Sequence, residues 1–112
     1  MSGLVGTSQS KSKVVGRSQD TAKAWVNLNG TGTPDMNQSF NVSSITEVTT
    51  GIVSVNFIKP MSSTTYCVVT SSTGSYNTAA QSYATGSVAI RNSDTNGTNA
   101  HIDLICAVVY EN

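Results

Sequence analysis

Apolar and polar residues alternate with a period of two along much of the chain after residue 23. Residues 24–29 and 53–57 show the alternation most clearly, and Pro60 follows the second of these runs. This period is typical of strands with one face in a core and the other in contact with water. Turn residues follow or separate the runs, as at Asn29-Gly30 and Thr50-Gly51, so antiparallel hairpins are expected.

The rest of the chain extends this pattern. The phase of the alternation changes at Ser43-Ser44, which predicts a β-bulge. Asn96-Gly97, inside the polar stretch Asn92–Asn99, is a strong hairpin signal. Further strands are predicted over residues 66–70, 81–85, 87–91 and 100–110. About seven strands of this kind predict an all-β fold, an antiparallel β-sandwich or jelly-roll-like domain over residues 24–112.

The composition supports strands over helices. Val and Ile together outnumber Leu by 19 to 3, and Ser and Thr make up 32 of the 112 residues. Residues of these types favour strands and polar turns, whereas helices are rich in Leu, Glu and Lys. An α-helical bundle, a coiled coil and a doubly wound α/β enzyme are therefore excluded.

Residues 1–23 differ from the rest in charge, although the chain has a formal net charge of zero. This segment has four basic residues and one acidic residue, whereas residues 24–112 have two basic and five acidic residues. We expect an extended attachment arm, although a frayed terminus has the same composition. Its expected contact residues are Leu4, Val5, Lys11, Lys13, Val14, Val15 and Arg17. The acidic remainder argues against nucleic-acid binding.

No catalytic or metal-binding pattern stands out, so the chain is predicted not to be an enzyme and to need no cofactor or metal. His101 and Asp103 share one face of the predicted last strand, but no nucleophile or third ligand accompanies them. An ordinary surface pair is the better interpretation. Cys67 and Cys106 lie in apolar runs, which predicts buried free thiols. No apolar run is long enough for membrane insertion, and none near the start is typical of a signal peptide.

Two motifs connect the chain with a known family. Residues 22–33 read AKAWVNLNGTGT and residues 39–46 read SFNVSSIT. In this order they resemble a segment of tail-fibre-like and other virion proteins of tailed bacteriophages. The resemblance extends over about residues 22 to 69, with Leu28 where the family usually has an aromatic residue. It implies a structural protein without catalytic motifs, assembled in the host cytoplasm and located in the virion.

Two roles in a phage particle agree with these observations, and both make other virion proteins the expected partners. The chain is expected to be a small appendage or tail-fibre-type domain, attached by its arm and exposing loops to the host surface. The alternative is a capsid decoration (cement) protein, in which the arm crosses capsid subunits and the domain stabilises the shell. A small sugar-degrading or metal enzyme has no supporting group of residues.

Host contact is expected from two polar, turn-rich stretches, Ser71–Tyr83 and Asn92–Asn99. Tyrosine among Ser, Gly and Asn is typical of recognition loops, and these side chains can bond to sugar hydroxyls. Host surface polysaccharide is therefore the expected ligand, although the tyrosines would equally cap one end of a sandwich. The predicted contact residues are Tyr76, Asn77, Tyr83, Asn92, Asp94, Asn96 and Asn99.

A homo-oligomer, most simply a trimer, is expected because few residues are charged and the predicted last strand is apolar on both faces. The predicted subunit interface contains Trp25, Ile105 and Val109. Trp25 alternates with the inward residues of its strand, which favours an interface or the surface. Packing in the core is nevertheless the favoured interpretation for this residue.

Overall fold

The protein is described by a computed structural model over residues 21–74 and 76–111. These residues form eight strands: β1 (Ala24–Asn29), β2 (Asp35–Phe40), β3 (Val42–Thr49), β4 (Ile52–Phe57), β5 (Cys67–Ser72), β6 (Asn77–Gln81), β7 (Ser87–Ser93) and β8 (Ile105–Tyr110). The predicted all-β fold is confirmed, with eight strands where about seven were expected. None of the described residues belongs to a helix long and apolar enough to cross a membrane.

The strands form two four-stranded antiparallel sheets. Sheet A has the order β2-β1-β8-β5, and sheet B has the order β3-β4-β7-β6. The predicted arm contacts Leu4, Val5, Lys11, Lys13, Val14, Val15 and Arg17 lie outside the described residues.

The core lies between the two sheets and consists mainly of aliphatic side chains. Sheet A contributes Leu28 and Ile105, and sheet B contributes Val55 and Ile90, all of them buried. Every second residue of β1, β4 and β8 is buried, as a sheet with one face in the core requires. Burial of a side chain of this size contributes about 1.5–3 kcal/mol to the stability of the fold, so these rows of buried residues hold the two sheets together.

Two predicted strands differ from the structure. Residues 81–85 do not form a strand, because β6 ends at Gln81 and the backbone turns at Ser82, with φ of 53°. The last strand begins at Ile105 and not at residue 100. Ile102 and Ile105 are both buried although they are three residues apart, so the chain before β8 cannot be a regular strand.

The bulge predicted at Ser43-Ser44 is confirmed, since the pairing of β3 with β4 shifts between Val42 and Ser44. Immediately before it, Asn41 connects the two sheets with a left-handed backbone, φ of 57°. The Asn41 side-chain amide donates to the carbonyl oxygens of Lys23 at 3.0 Å and Lys59 at 3.1 Å. Its oxygen accepts the Lys59 N–H at 2.7 Å. This residue therefore joins three separate stretches of backbone.

An aromatic cluster covers the core at the end of the sandwich where Asn41 lies. The ring of Tyr66 contacts Phe57 edge-on at 6.0 Å between centroids and Tyr83 at 5.0 Å. The buried Tyr66 hydroxyl donates to the carbonyl oxygens of Ala84 at 2.7 Å and Ser87 at 3.0 Å. Burial of this hydroxyl raises the pKa of Tyr66, because the charged form would lose its hydration.

Replacement of Tyr66 with Phe should lower the free energy of unfolding by about 1 kcal/mol at neutral pH, since two carbonyl groups lose their donor. The raised pKa of Tyr66 in the folded protein adds a pH dependence. Its contribution is complete below the unfolded value of about 10 and is lost as the pH rises through the higher folded value. Urea unfolding from pH 7 to 11 should therefore show a smaller difference between wild type and Tyr66→Phe at the alkaline end.

The matched control for this measurement is Tyr110→Phe, which changes a tyrosine on the outer side of β8 that is 40% exposed. Its unfolding free energy should equal that of the wild type across the same pH range. An equal loss in both variants would contradict the role assigned to the Tyr66 hydroxyl.

Candidate functional site

The connections between strands gather at two opposite ends of the sandwich. A strand of six residues at about 3.3 Å each separates these ends by about 20 Å. The first, the arm end, contains residues 21–23, Asn41, 58–66 and 82–86, joined by hydrogen bonds such as Met61 N–H to Thr85 O at 2.8 Å. The second, the loop end, contains residues 30–34, 50–51, 73–74, 76 and 94–104, joined by bonds such as Gly30 N–H to Ile102 O at 2.9 Å.

A tight polar turn over residues 94–99 forms part of the surface of the loop end. The Asp94 carboxylate accepts the N–H groups of Asn96 at 2.9 Å and Thr98 at 3.0 Å. From β7, Arg91 donates to the Asn99 side-chain oxygen at 2.8 Å and to the Gly97 carbonyl at 2.9 Å. These bonds give the turn a defined shape before it meets any ligand.

The structure brings together five of the seven predicted host-contact residues. The loop end contains Tyr76, Asp94, Asn96 and Asn99, and Asn77 begins β6 beside it, with its side-chain amide 3.5 Å from the Asp94 carbonyl oxygen. The exposed ring of Tyr76 lies against Gly74, where an added Cβ would approach it to 2.9 Å. Gly74 therefore leaves room for the ring beside the turn.

Tyr83 does not belong to this group, which corrects the prediction. β6 lies between Tyr76 and Tyr83 and places them at opposite ends of the sandwich. At the arm end Tyr83 contacts the ring of Tyr66 and covers the aromatic cluster. The alternative that a tyrosine caps one end of the sandwich therefore applies to Tyr83.

The prediction of host contact by Asn92 is also wrong, because this residue is 1% exposed and cannot touch a host surface. Its side-chain amide donates to the Gly51 carbonyl at 3.1 Å, and its oxygen accepts the Thr78 hydroxyl at 3.1 Å. Gly51 has φ of 79°, and a Cβ there would lie 2.7 Å from the backbone nitrogen of Ala100. Asn92 thus holds the base of the loop end and lies beneath its surface.

His101 has a different partner from the one that its sequence position indicates. Its Nε2 lies 2.9 Å from the carboxylate of Glu47 on β3, in a largely exposed pair. Such exposed pairs contribute at most about 1 kcal/mol and indicate no chemistry. Within residues 21–74 and 76–111, no three His, Cys, Asp or Glu side chains are grouped so that they could hold a metal ion.

Two clefts lie at the arm end of the described residues. The larger, about 570 Å³, has the exposed apolar side chains of Phe40 and Ile58 in its wall, and the smaller is about 280 Å³. Lys23 and Lys59 line both clefts, and Glu111, in the smaller one, accepts bonds from the N–H and hydroxyl groups of Ser62. The local sequence carries no signal for these clefts, because their walls come from distant segments.

Two of the predicted interface residues are in the core. Ile105 is 0% and Val109 is 2% exposed, so neither can contact another subunit. The prediction was wrong because both sides of β8 are apolar, so the sequence does not show which side faces the core. The side with Ile105 and Val109 packs against sheet B. Trp25, in contrast, is half-buried and lies on the outer face of sheet A, where core packing does not occur.

The prediction of buried thiols also requires correction. Cys67 is exposed, Cys106 is half-buried, and both are free. They lie on the outer face of sheet A, the same side as Trp25, since Cys67 pairs with Tyr110 and Cys106 with Asn27.

Comparisons of the chain with protein-family models, with curated proteins and with solved structures found no match. The resemblance to tailed-phage virion proteins therefore rests on the motifs of residues 22–33 and 39–46. Membership of that family remains a prediction. The geometry of the two ends is the independent observation on which a functional proposal can be based.

Proposed function

We propose that this chain is a small structural domain of a tailed-phage particle, attached through residues 1–23 and exposing its loop end. The observation that carries the proposal is the separation of the two ends. The segment of residues 21–23 leads into β1 at the arm end, while the polar turn of residues 94–99 lies at the opposite end. One end can therefore bind the particle while the other faces outward. The motif resemblance supports a virion component.

Attachment is assigned to the basic arm. Lys11, Lys13 and Arg17 precede the described residues by four to ten positions, and the arm end itself adds Lys23 and Lys59. Basic groups concentrated on one side favour an acidic surface on a neighbouring virion subunit. The apolar pairs of the arm would contribute burial in that contact.

Host contact is assigned to the loop end, with surface polysaccharide as the ligand class. The Asn96 and Asn99 amides and the Thr98 hydroxyl can bond to sugar hydroxyls, and the exposed ring of Tyr76 can cover an apolar sugar face. The internal bonds of the turn reduce the entropy lost on binding, because its shape already exists.

Sedimentation of particles through a density gradient tests the proposed location. Virions from a lysate of the host that carries the gene should contain this chain, detected with an antibody against the purified protein. A copy number near that of tail fibres would support the appendage role. A number near that of the major capsid protein would support decoration of the shell instead. Absence of the chain from purified particles would contradict both roles.

Neutralising the arm should prevent incorporation into particles. The change Lys11→Gln, Lys13→Gln and Arg17→Gln removes the charge on which attachment depends. The measurement is the ratio of this chain to major capsid protein in purified virions. The variant Lys11→Arg, Lys13→Arg and Arg17→Lys, which changes the same three residues and keeps their charge, is the control and should be incorporated normally. Normal incorporation of the neutralised variant would disprove the tether.

Replacement of Tyr76 with Ala should slow adsorption of particles to host cells without changing the melting temperature of the protein. Tyr83→Ala is the matched control at the opposite end. It should leave adsorption unchanged and lower stability by about 0.5–1.5 kcal/mol, because it loses the contact with Tyr66. Unchanged adsorption with Tyr76→Ala would argue against host contact at the loop end.

A further inference from the structure

Four apolar side chains form a continuous row across the outer face of sheet A. The strand register aligns Phe40 with Trp25, Trp25 with Val108, and Val108 with Val69. Phe40 is 52% and Val69 is 56% exposed, while Trp25 and Val108 are half-buried. Sheet A thus has an apolar surface on the side away from the core. We name these four residues the apolar row.

The middle of the face beside the apolar row is uncharged, and charged residues lie at its edges: Lys23 and Lys59 line a cleft with Phe40 at the arm end, and Asp35 pairs with Asn29 at the loop end. Towards the arm end the row is flanked by Tyr110 and Cys67, and towards the loop end by Gln38, Asn27, Cys106 and Ser71. The Asn27 amide donates to the Cys106 sulfur at 3.4 Å, so this polar group is already partly satisfied within the face. A partner that covers the middle of the face and leaves these edges in water would bury no unpaired charge.

Sheet B has no comparable surface. Its corresponding outward row, aligned by the strand register, consists of Thr46, Ser54, Ala89 and Gln81. These side chains are small or polar, as expected of a sheet that faces water. The apolar row is therefore a property of one sheet and not of the general composition.

We propose that the outer face of sheet A is a self-association surface, on which a second copy of this chain packs face to face. A two-fold axis along the apolar row would place the row of one copy on the row of the other. The chain has a formal net charge of zero, so two copies meet without net repulsion. This inference does not depend on the proposed role in a phage particle.

The basic arm of the same chain fits this face less well. Consecutive side chains of an extended segment point to opposite sides, so each of the pairs Leu4-Val5 and Val14-Val15 can offer one apolar side chain to a sheet. Two such contacts would leave part of the four-residue row uncovered. Asp35, the one acidic residue in the four strands of sheet A, offers these segments a single carboxylate for the three basic residues Lys11, Lys13 and Arg17.

The size of the face determines how strong the association can be. Four strands about 4.8 Å apart and six residues long cover about 400 Å² on each copy, or about 800 Å² for two. This area is somewhat below the roughly 1,000 Å² expected of a stable interface. Association through this face should therefore be weak and depend on protein concentration.

The test is the mass in solution of the full chain by sedimentation equilibrium, from about 10 µM to about 1 mM. The mass should rise with concentration from the 11.7 kDa of one chain towards twice that value. Val69→Lys should raise the dissociation constant at least about tenfold, because it buries a charge against the apolar row. Val48→Lys is the matched control, since Val48 is 62% exposed on β3 of sheet B, and it should change nothing.

A second measurement uses the native thiols. Alkylation of Cys106 should slow as the concentration of the wild-type chain rises, and should stay constant in the Val69→Lys variant. Phe40→Lys, at the other edge of the row, provides a second variant if Val69→Lys does not fold. A dimer that these two substitutions dissociate and Val48→Lys does not supports the proposal, whereas a trimer or larger oligomer contradicts the two-fold arrangement.

Three further results would overturn the proposal. The first is a mass of 11.7 kDa at every concentration. The second is an equal effect of Val69→Lys and Val48→Lys, or no effect of either on an oligomer. The third is a monomer in which Val14→Asp with Val15→Asp speeds alkylation of Cys106, because the arm of the same chain would then cover the face.

Discussion

A corner one residue long determines how the two sheets meet. β2 ends at Phe40 and β3 begins at Val42, so Asn41 alone carries the chain from sheet A to sheet B. Asparagine tolerates the left-handed backbone that this corner requires, and its side chain bonds to the backbone of Lys23 and Lys59. The corner turns Val42 into the core and leaves Phe40 outside. The arm end and one edge of the apolar row both follow from this arrangement.

The rest of the molecule divides into surfaces with different physical character. The arm end is basic and has clefts, the loop end is polar with a preformed turn, and the outer face of sheet A carries the apolar row. Asn92 and Gly51 hold the base of the loop end, so the turn of residues 94–99 can change in sequence without disturbing the core. The attachment, recognition and association that we propose would therefore occur at separate places on one small domain.

The local sequence determined each strand and its buried side wherever apolar and polar residues alternate regularly. In β1 and β4 the inward residues, such as Leu28 and Val55, follow directly from the two-residue period. The bulge near Ser43-Ser44 could also be predicted, because a change of phase is a local event. The turn of residues 94–99 could be predicted from its Asn-Gly pair, but the hairpin expected around it was wrong. The flanking strands β7 and β8 belong to different sheets, and a single bridge joins Ser93 to Asn99.

Tertiary structure decided the features that depend on comparing distant segments. Both alternating sets of β8 are apolar, so only packing against sheet B made Ile105 and Val109 part of the core. Tyr83 covers the aromatic cluster while Tyr76 remains at the loop end, because β6 separates two tyrosines that are close in sequence. His101 pairs with Glu47, 54 positions away. The local pattern shows which residues lie on the same side of a strand. Where both sides are apolar, only packing in the folded chain decides which side is buried.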